Sequence, residues 1–197
     1  MLDTHGRSKV QPLISKTALI FLQIGLKANH VTVLAFIVGI LASVVVYLGQ
    51  PIIGVAILWL SGFLDAVDGS MARQSKSSSA WGTVLDVTFD RIVEAGILVS
   101  LAFRHQEPNI LLLFLFLALS IIFTMTVFLT VGALSEKESY KSFYYQPGIA
   151  ERTEGFILFS LMVLFQTHLA FWTIVFLIIE ILTGIQRLME AYRILRK

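Results

Sequence analysis

Five aspartates occur in the 197-residue chain, and four of them, Asp65, Asp68, Asp86 and Asp90, fall between positions 65 and 90. Asp65 and Asp68 are three apart at the end of one apolar run, and Asp86 and Asp90 are four apart near the start of the next. On helices these spacings put each pair on one face, with side chains roughly 5–6 Å apart. Two antiparallel helices would then bring four carboxylates together. Carboxylates at membrane depth are costly and face a bundle interior, a partner or water, so they are functional candidates by default. A hard divalent cation is the simplest way to hold such a cluster ionised, and Mg²⁺ suits carboxylates combined with substrate phosphates.

The residues between the two pairs suit phosphate. Gly69 and Gly82 allow a ligand to approach the backbone closely. Arg73 offers a planar fork for a phosphate or pyrophosphate. Lys76 adds charge, and Ser77, Ser78, Ser79 and Thr83 add hydroxyls. Carboxylate-bound metal beside an arginine points to phosphoryl or phosphatidyl transfer. In that chemistry two metal ions stabilise the attacking and leaving oxygens of an in-line displacement, and a carboxylate takes the proton of the attacking hydroxyl.

The elements that position these groups are set by composition. The chain is 56% hydrophobic and 14% charged, with a mean hydropathy of +0.82. A soluble domain would be roughly a quarter charged, so an all-α integral membrane protein is expected. The absence of cysteine excludes disulfides and thiolate metal sites. Residues 1–28 space their apolar positions by three or four around Arg7, Lys9, Lys16 and Lys27, which predicts an amphipathic interfacial helix and no signal peptide. Six spans follow, at about residues 32–49, 52–67, 82–103, 110–134, 155–165 and 169–188, and Asn29 is expected to cap the first. Fourteen of the basic residues lie outside the spans or near their ends, and of these only Arg104 lies on the side away from the termini, while Arg91 is within a span. By the positive-inside rule both termini and the aspartate cluster face the cytoplasm of a multi-pass plasma-membrane protein. One domain is expected over 1–197, with 1–28 juxtamembrane and 29–197 a six-helix bundle.

The pattern Asp65-x-x-Asp68-Gly69-x-x-Ala72-Arg73, then eight residues, then Gly82-x-x-x-Asp86-x-x-x-Asp90 resembles the complete signature of the CDP-alcohol phosphatidyltransferases. The chain length, six spans and amphipathic start resemble that family too, with phosphatidylinositol-phosphate synthases the most similar members. The resemblance implies that Asp65, Asp68 and Asp86 hold one Mg²⁺ or Mn²⁺ and that Asp65, Asp86 and Asp90 hold a second. Asp90 would also be the general base. Gly69, Arg73 and Ser79 would contact the CDP moiety, with Ala72 and Gly82 leaving room for it. Asn29 and Thr32 resemble an Asn-x-x-Thr that the family sets against the nucleotide. A phosphatidyl group would pass from a CDP-lipid such as CDP-diacylglycerol to a small alcohol, releasing CMP. Homodimerisation is implied and no nucleic-acid partner is expected.

The segment Gly148–Gly155 resembles the arginine-containing helix start of inositol-phosphate-using members, so Lys141 and Arg152 are expected to bind an acceptor phosphate. Inositol phosphate is the expected acceptor, with glycerol 3-phosphate the alternative. A cation- or proton-coupled transporter is the reading from another class; it would not need Gly69, Ala72, Arg73 and Gly82 at fixed offsets.

Overall fold

The computed structural model describes residues 2–135, 148–149 and 151–196. Among the described residues there are seven α-helices, one 3₁₀ turn and no strand. They are α1 (Leu2–Gln23), α2 (Ala28–Tyr47), α3 (Pro51–Gln74), α4 (Ala80–Arg104), α5 (Pro108–Leu134), α6 (Arg152–Leu164), the turn Gln166–His168 and α7 (Leu169–Leu195). Pro51 and Pro108 begin their helices, where the missing N–H costs nothing and the fixed φ suits a helix start.

α2, α3, α5 and the segment Gln166–Leu195 are long and apolar enough to cross a membrane. Large side chains such as Ile37, Ile52 and Ile122 are more than half exposed, as lipid-facing residues are. The chain is a multi-pass membrane protein. The other two expected spans differ from these four for identifiable reasons. α4 is 25 residues long but carries Asp86, Asp90, Arg91 and Glu94. α6 has only 13 residues, about 20 Å of helix against a hydrocarbon core of roughly 30 Å. It starts at Arg152, a turn before the apolar run, as the polar lead-in suggests.

α1 to α4 form one compact unit, Thr4–Arg104. α2 is its centre and packs against both α3 and α4. The contact is close because small residues line it. A Cβ on Gly39 would collide with Val93 of α4 and lie 2.9 Å from the Ser61 hydroxyl of α3. A Cβ on Gly96 would come within 2.6 Å of the Ser43 hydroxyl. Two hydroxyls then bridge the helices: Ser61 donates to the Ala35 carbonyl at 2.7 Å, and Ser100 to the Ser43 carbonyl at 2.7 Å. Small residues and hydroxyl bridges are how helices associate where lipid removes any hydrophobic drive. α1 lays Ile14 and Ala18 against Val31, Ala35, Leu64, Val67 and Met71. Its Lys16, Leu13 and Ile20 are exposed, consistent with an interfacial helix.

The second unit contains α5, α6 and α7. Gly184 of α7 abuts the Phe123 ring of α5, and Thr124 donates to the Glu180 carbonyl at 3.0 Å. Phe159 and Phe176 meet edge to face at 4.9 Å, joining α6 to α7. His105 and Gln166 are hydrogen-bonded at 3.0 Å, tying the segment before α5 to the turn before α7.

The contact at Gly39 makes a direct prediction. Gly39→Leu forces α2 away from α3 and α4, and overpacking of this kind costs typically about 1–3 kcal/mol. Thermal unfolding of the purified protein in detergent is expected to show a clear fall in midpoint.

Candidate active site

The end of α3, the connection 75–79 and the start of α4 carry the site. α3 ends with the Ser77 N–H on the Ala72 carbonyl at 3.0 Å and the Lys76 N–H on the Arg73 carbonyl at 3.3 Å. These two bonds define a Schellman cap, which places one residue in the left-handed region. α1 and α2 end with the same bond pattern and put Gly25 and Gly49 there, at φ +84° and +83°. α3 uses Lys76 instead, at φ +52°. Ser75 and Ser77 hydroxyls bond to each other at 2.7 Å beneath it. Ser79 then caps α4: its hydroxyl accepts the Gly82 N–H at 3.0 Å, and its carbonyl accepts the Thr83 N–H at 3.1 Å.

This reversal brings Asp86 of α4 to the Asp65–Asp68 pair of α3. Carboxylate oxygens of Asp65, Asp68 and Asp86 all lie within 4.8 Å of one another. Asp68 is buried at 6% exposure, and its Oδ2 has no hydrogen-bond partner. Asp65 and Asp86 are half-buried. Asp90, one turn further along α4, is half-buried and stands outside that trio, close enough for the Asp86, Arg91 and Glu94 charges to act on it.

A buried carboxylate oxygen without a hydrogen bond, inside a triad of carboxylates, is a strong acceptor with capacity to spare. The donor set is all oxygen, hard and anionic, and fits a divalent cation such as Mg²⁺ or Mn²⁺.

The residues expected around the nucleotide gather at the same end. The Arg73 guanidinium lies over Gly69, 3.4 Å from where a Cβ would be. Ala72 is half-buried on the same turn. A Cβ on Gly82 would sit 3.2 Å from the Ser79 hydroxyl and 3.3 Å from the Asn29 amide oxygen, so Gly82, Ser79 and Asn29 adjoin. Thr32 is buried and within hydrogen-bonding reach of Asp68. Asn29 does not cap α2, as its type suggests; Lys27 holds the cap position with no side-chain bond, and Asn29 is already in the first turn. Its side chain is therefore directed to the Gly82 edge rather than to its own helix.

Of the acceptor candidates, Lys141 lies outside the described residues. Arg152 is the first residue of α6, half-buried, with its guanidinium over the Phe156 ring at 5.5 Å. Arg187 was missed by sequence reasoning, which takes it only as one of the basic residues closing the chain. It is 6% exposed, and its guanidinium stacks on Phe128 at 4.8 Å. Thr173, Phe176, Thr183, Gly184, Arg187 and Ala191 are the buried face of α7. That helical spacing could have flagged the arginine as inward-facing.

Helices that span a membrane, with a carboxylate triad and an arginine at one turn, define a membrane enzyme acting on phosphate esters. The sequence profile of CDP-alcohol phosphatidyltransferase matches residues 26–186. The chain belongs to the CDP-alcohol phosphatidyltransferase family, and phosphatidyl transfer from a CDP-activated lipid in phospholipid biosynthesis is its activity. It is 29% identical to the inner membrane protein YnjF of Escherichia coli, over the whole of this chain and 98% of that one. It is 35% identical to the archaetidylinositol phosphate synthase of Pyrococcus horikoshii over 96 residues, 49% of this chain and 51% of that relative. The crystal structure of Mycobacterium tuberculosis phosphatidylinositol phosphate synthase with CDP-DAG bound superposes with a TM-score of 0.77, at 20% identity, over 92% of this chain and 94% of that one. The same protein in complex with manganese and citrate gives 0.75 at 19% identity, over 91% and 88%.

A left-handed non-glycine residue costs roughly 1–2 kcal/mol. Lys76→Gly is expected to raise the thermal midpoint, in the opposite direction to Gly39→Leu, when measured in the same detergent.

Proposed function

We propose that the chain transfers a phosphatidyl group from a CDP-lipid to an inositol phosphate, releasing CMP. The carrying observation is the Asp65–Asp68–Asp86 triad with its orphaned Asp68 oxygen, beside Arg73 and the Asn29–Ser79–Gly82 edge. Two names support the inositol phosphate: the archaeal relative and the mycobacterial structure are both inositol-phosphate-type synthases. Glycerol 3-phosphate is the second acceptor in order.

Asp65, Asp68 and Asp86 would hold one divalent ion, Mg²⁺ or Mn²⁺, and Asp65, Asp86 and Asp90 a second. Bound there, such ions supply charge stabilisation to the pyrophosphate as the displacement proceeds. Arg73 and the Gly69 backbone bind the donor phosphates, with Ala72 leaving space. Ser79, Gly82, Asn29 and Thr32 bind and orient the cytidine end. Asp90, set apart from the triad, takes the proton of the acceptor hydroxyl. The acceptor oxygen forms a bond to the lipid-side phosphorus. The bond from that phosphorus to the bridging oxygen breaks, and CMP leaves with the electron pair. Arg152 binds the acceptor phosphate, and buried Arg187 is the further candidate, since a cation buried on a membrane helix is functional by default. Lys141 completes the proposed set.

The whole of 1–197 is read as one catalytic domain, which the family match over 26–186 supports. In this reading α4 and α6 join the four apolar helices to make six spans, α4 with Asp86 at the carboxylate triad and α6 with polar residues at its start. The distribution of Lys and Arg supports cytoplasmic termini and a cytoplasmic active site in the plasma membrane. A homodimer is the proposed assembly.

Purified protein supplied with CDP-diacylglycerol and Mg²⁺ is expected to release CMP only when an acceptor is added, fastest with inositol phosphate. Asp68→Asn is expected to lower kcat/KM at least about 100-fold, a loss near 2.7 kcal/mol. Arg152→Ala is expected to raise the acceptor KM about tenfold and leave the donor KM unchanged. Acceptor-independent turnover, or a preference for an unphosphorylated alcohol, would contradict the proposal.

A further inference from the structure

Lys76 occupies a position that two other helix ends of this chain give to glycine. The three ends share one bond pattern: one N–H reaches back three residues and the next reaches back five. The pairs are Gly25 and Leu26 after α1, Gly49 and Gln50 after α2, and Lys76 and Ser77 after α3. Glycine has no Cβ to clash in the left-handed region, and lysine does. The first two ends hold glycine at φ +84° and +83°, while α3 holds lysine at +52°. A side chain kept at a strained backbone position points to a use for that side chain.

The lysine is available for an anion. It is exposed, and its ammonium has no hydrogen bond or ion pair among the described residues. Its neighbours are committed elsewhere. The Ser75 and Ser77 hydroxyls bond to each other, and Ser75 also donates to the Met71 carbonyl at 2.7 Å. Gln74 donates to the Ser70 hydroxyl and to the Ser15 carbonyl of α1. Lys76 also sits midway along the connection that joins the two ends of the donor site. Its N–H bonds to the carbonyl of Arg73, which is assigned above to the donor phosphates. Ser79, three residues on, adjoins Gly82 and Asn29 at the cytidine edge. A lysine needed only to mark the cytoplasmic side could stand at position 75, 77 or 78 without the strain.

We propose that Lys76 is a nucleotide-binding residue whose ammonium pairs with the cytidine-side phosphate of the CDP donor. The same phosphate gains charge when the bridging oxygen leaves with CMP, so the pairing extends to that product. A compact ammonium on a flexible stem suits a phosphate whose charge changes in this way. The proposal rests on the reading of residues 69–82 as the CDP site.

The test is CMP binding by the full chain in detergent with Mg²⁺, followed by titration calorimetry at low salt. Thermal unfolding of each variant is measured beside it. Lys76→Gly relieves the backbone and removes the charge. It is expected to raise the thermal midpoint and yet weaken CMP about fivefold, the scale of one exposed ion pair. Lys76→Asn tolerates the left-handed region without a charge and is expected to weaken CMP to the same extent. Lys76→Arg keeps the charge and is expected to bind CMP close to the parent value. At about 0.5 M salt the difference between parent and Lys76→Gly is expected to shrink. Parent-like CMP affinity in Lys76→Gly or Lys76→Asn would overturn the proposal. So would Lys76→Arg binding as weakly as Lys76→Gly, because the effect would then come from the shape of the connection and not from charge. Failure of the parent protein to bind CMP would instead overturn the reading of the CDP site beneath it.

Discussion

Three carboxylates within 4.8 Å of one another, one of them buried with an unpartnered oxygen, are the constraint on which the first unit depends. Like charges at that separation repel, and the repulsion grows as water is removed. A chain that held such a cluster without a use would lose stability for nothing. Either a proton or a bound cation relieves that repulsion, and a bound cation is also what phosphate chemistry uses. The same electrostatic conflict that makes the cluster costly to fold makes it selective for a hard divalent cation and a polyanionic substrate.

The surrounding structure serves to hold the cluster in spite of that repulsion. α2 grips α3 and α4 through Gly39, Gly96, Ser61 and Ser100, contacts that only small residues and hydroxyls allow. A capped, reversed connection joins α3 to α4, closed by Lys76 in a conformation that glycine adopts at the other two such ends. Ser79 caps the start of α4 and lies against Gly82, beside Asn29. Arg91 and Glu94 pair one turn beyond Asp90.

Much of this was legible before any coordinates. The three- and four-residue intervals between the aspartates point to facing helical faces, and Asp65, Asp68 and Asp86 do meet there. The amphipathic start and the four apolar helices also follow from spacing and composition. Other features were not legible, for physical reasons. Asn29 looks like a helix cap because that is its common role, yet tertiary contact with Gly82 draws its side chain elsewhere. Lys76 carries no sequence mark of a left-handed residue, which is usually glycine. α4 and α6 depart from the apolar pattern, one through its charges and one through its length, so hydropathy does not mark either as a span. Arg187 reads as a terminal basic anchor until the buried face of α7 is seen to include it.

The central claim is that Asp65, Asp68 and Asp86 form a cation site at the catalytic centre. Anomalous scattering from crystals of the protein grown with Mn²⁺ and a CDP-lipid tests it most directly. The account predicts a Mn²⁺ peak bonded to oxygens of all three carboxylates, with the pyrophosphate of the donor beside Arg73. A donor bound at Arg73 with no metal peak among the three carboxylates, or a peak elsewhere in the chain, would contradict it.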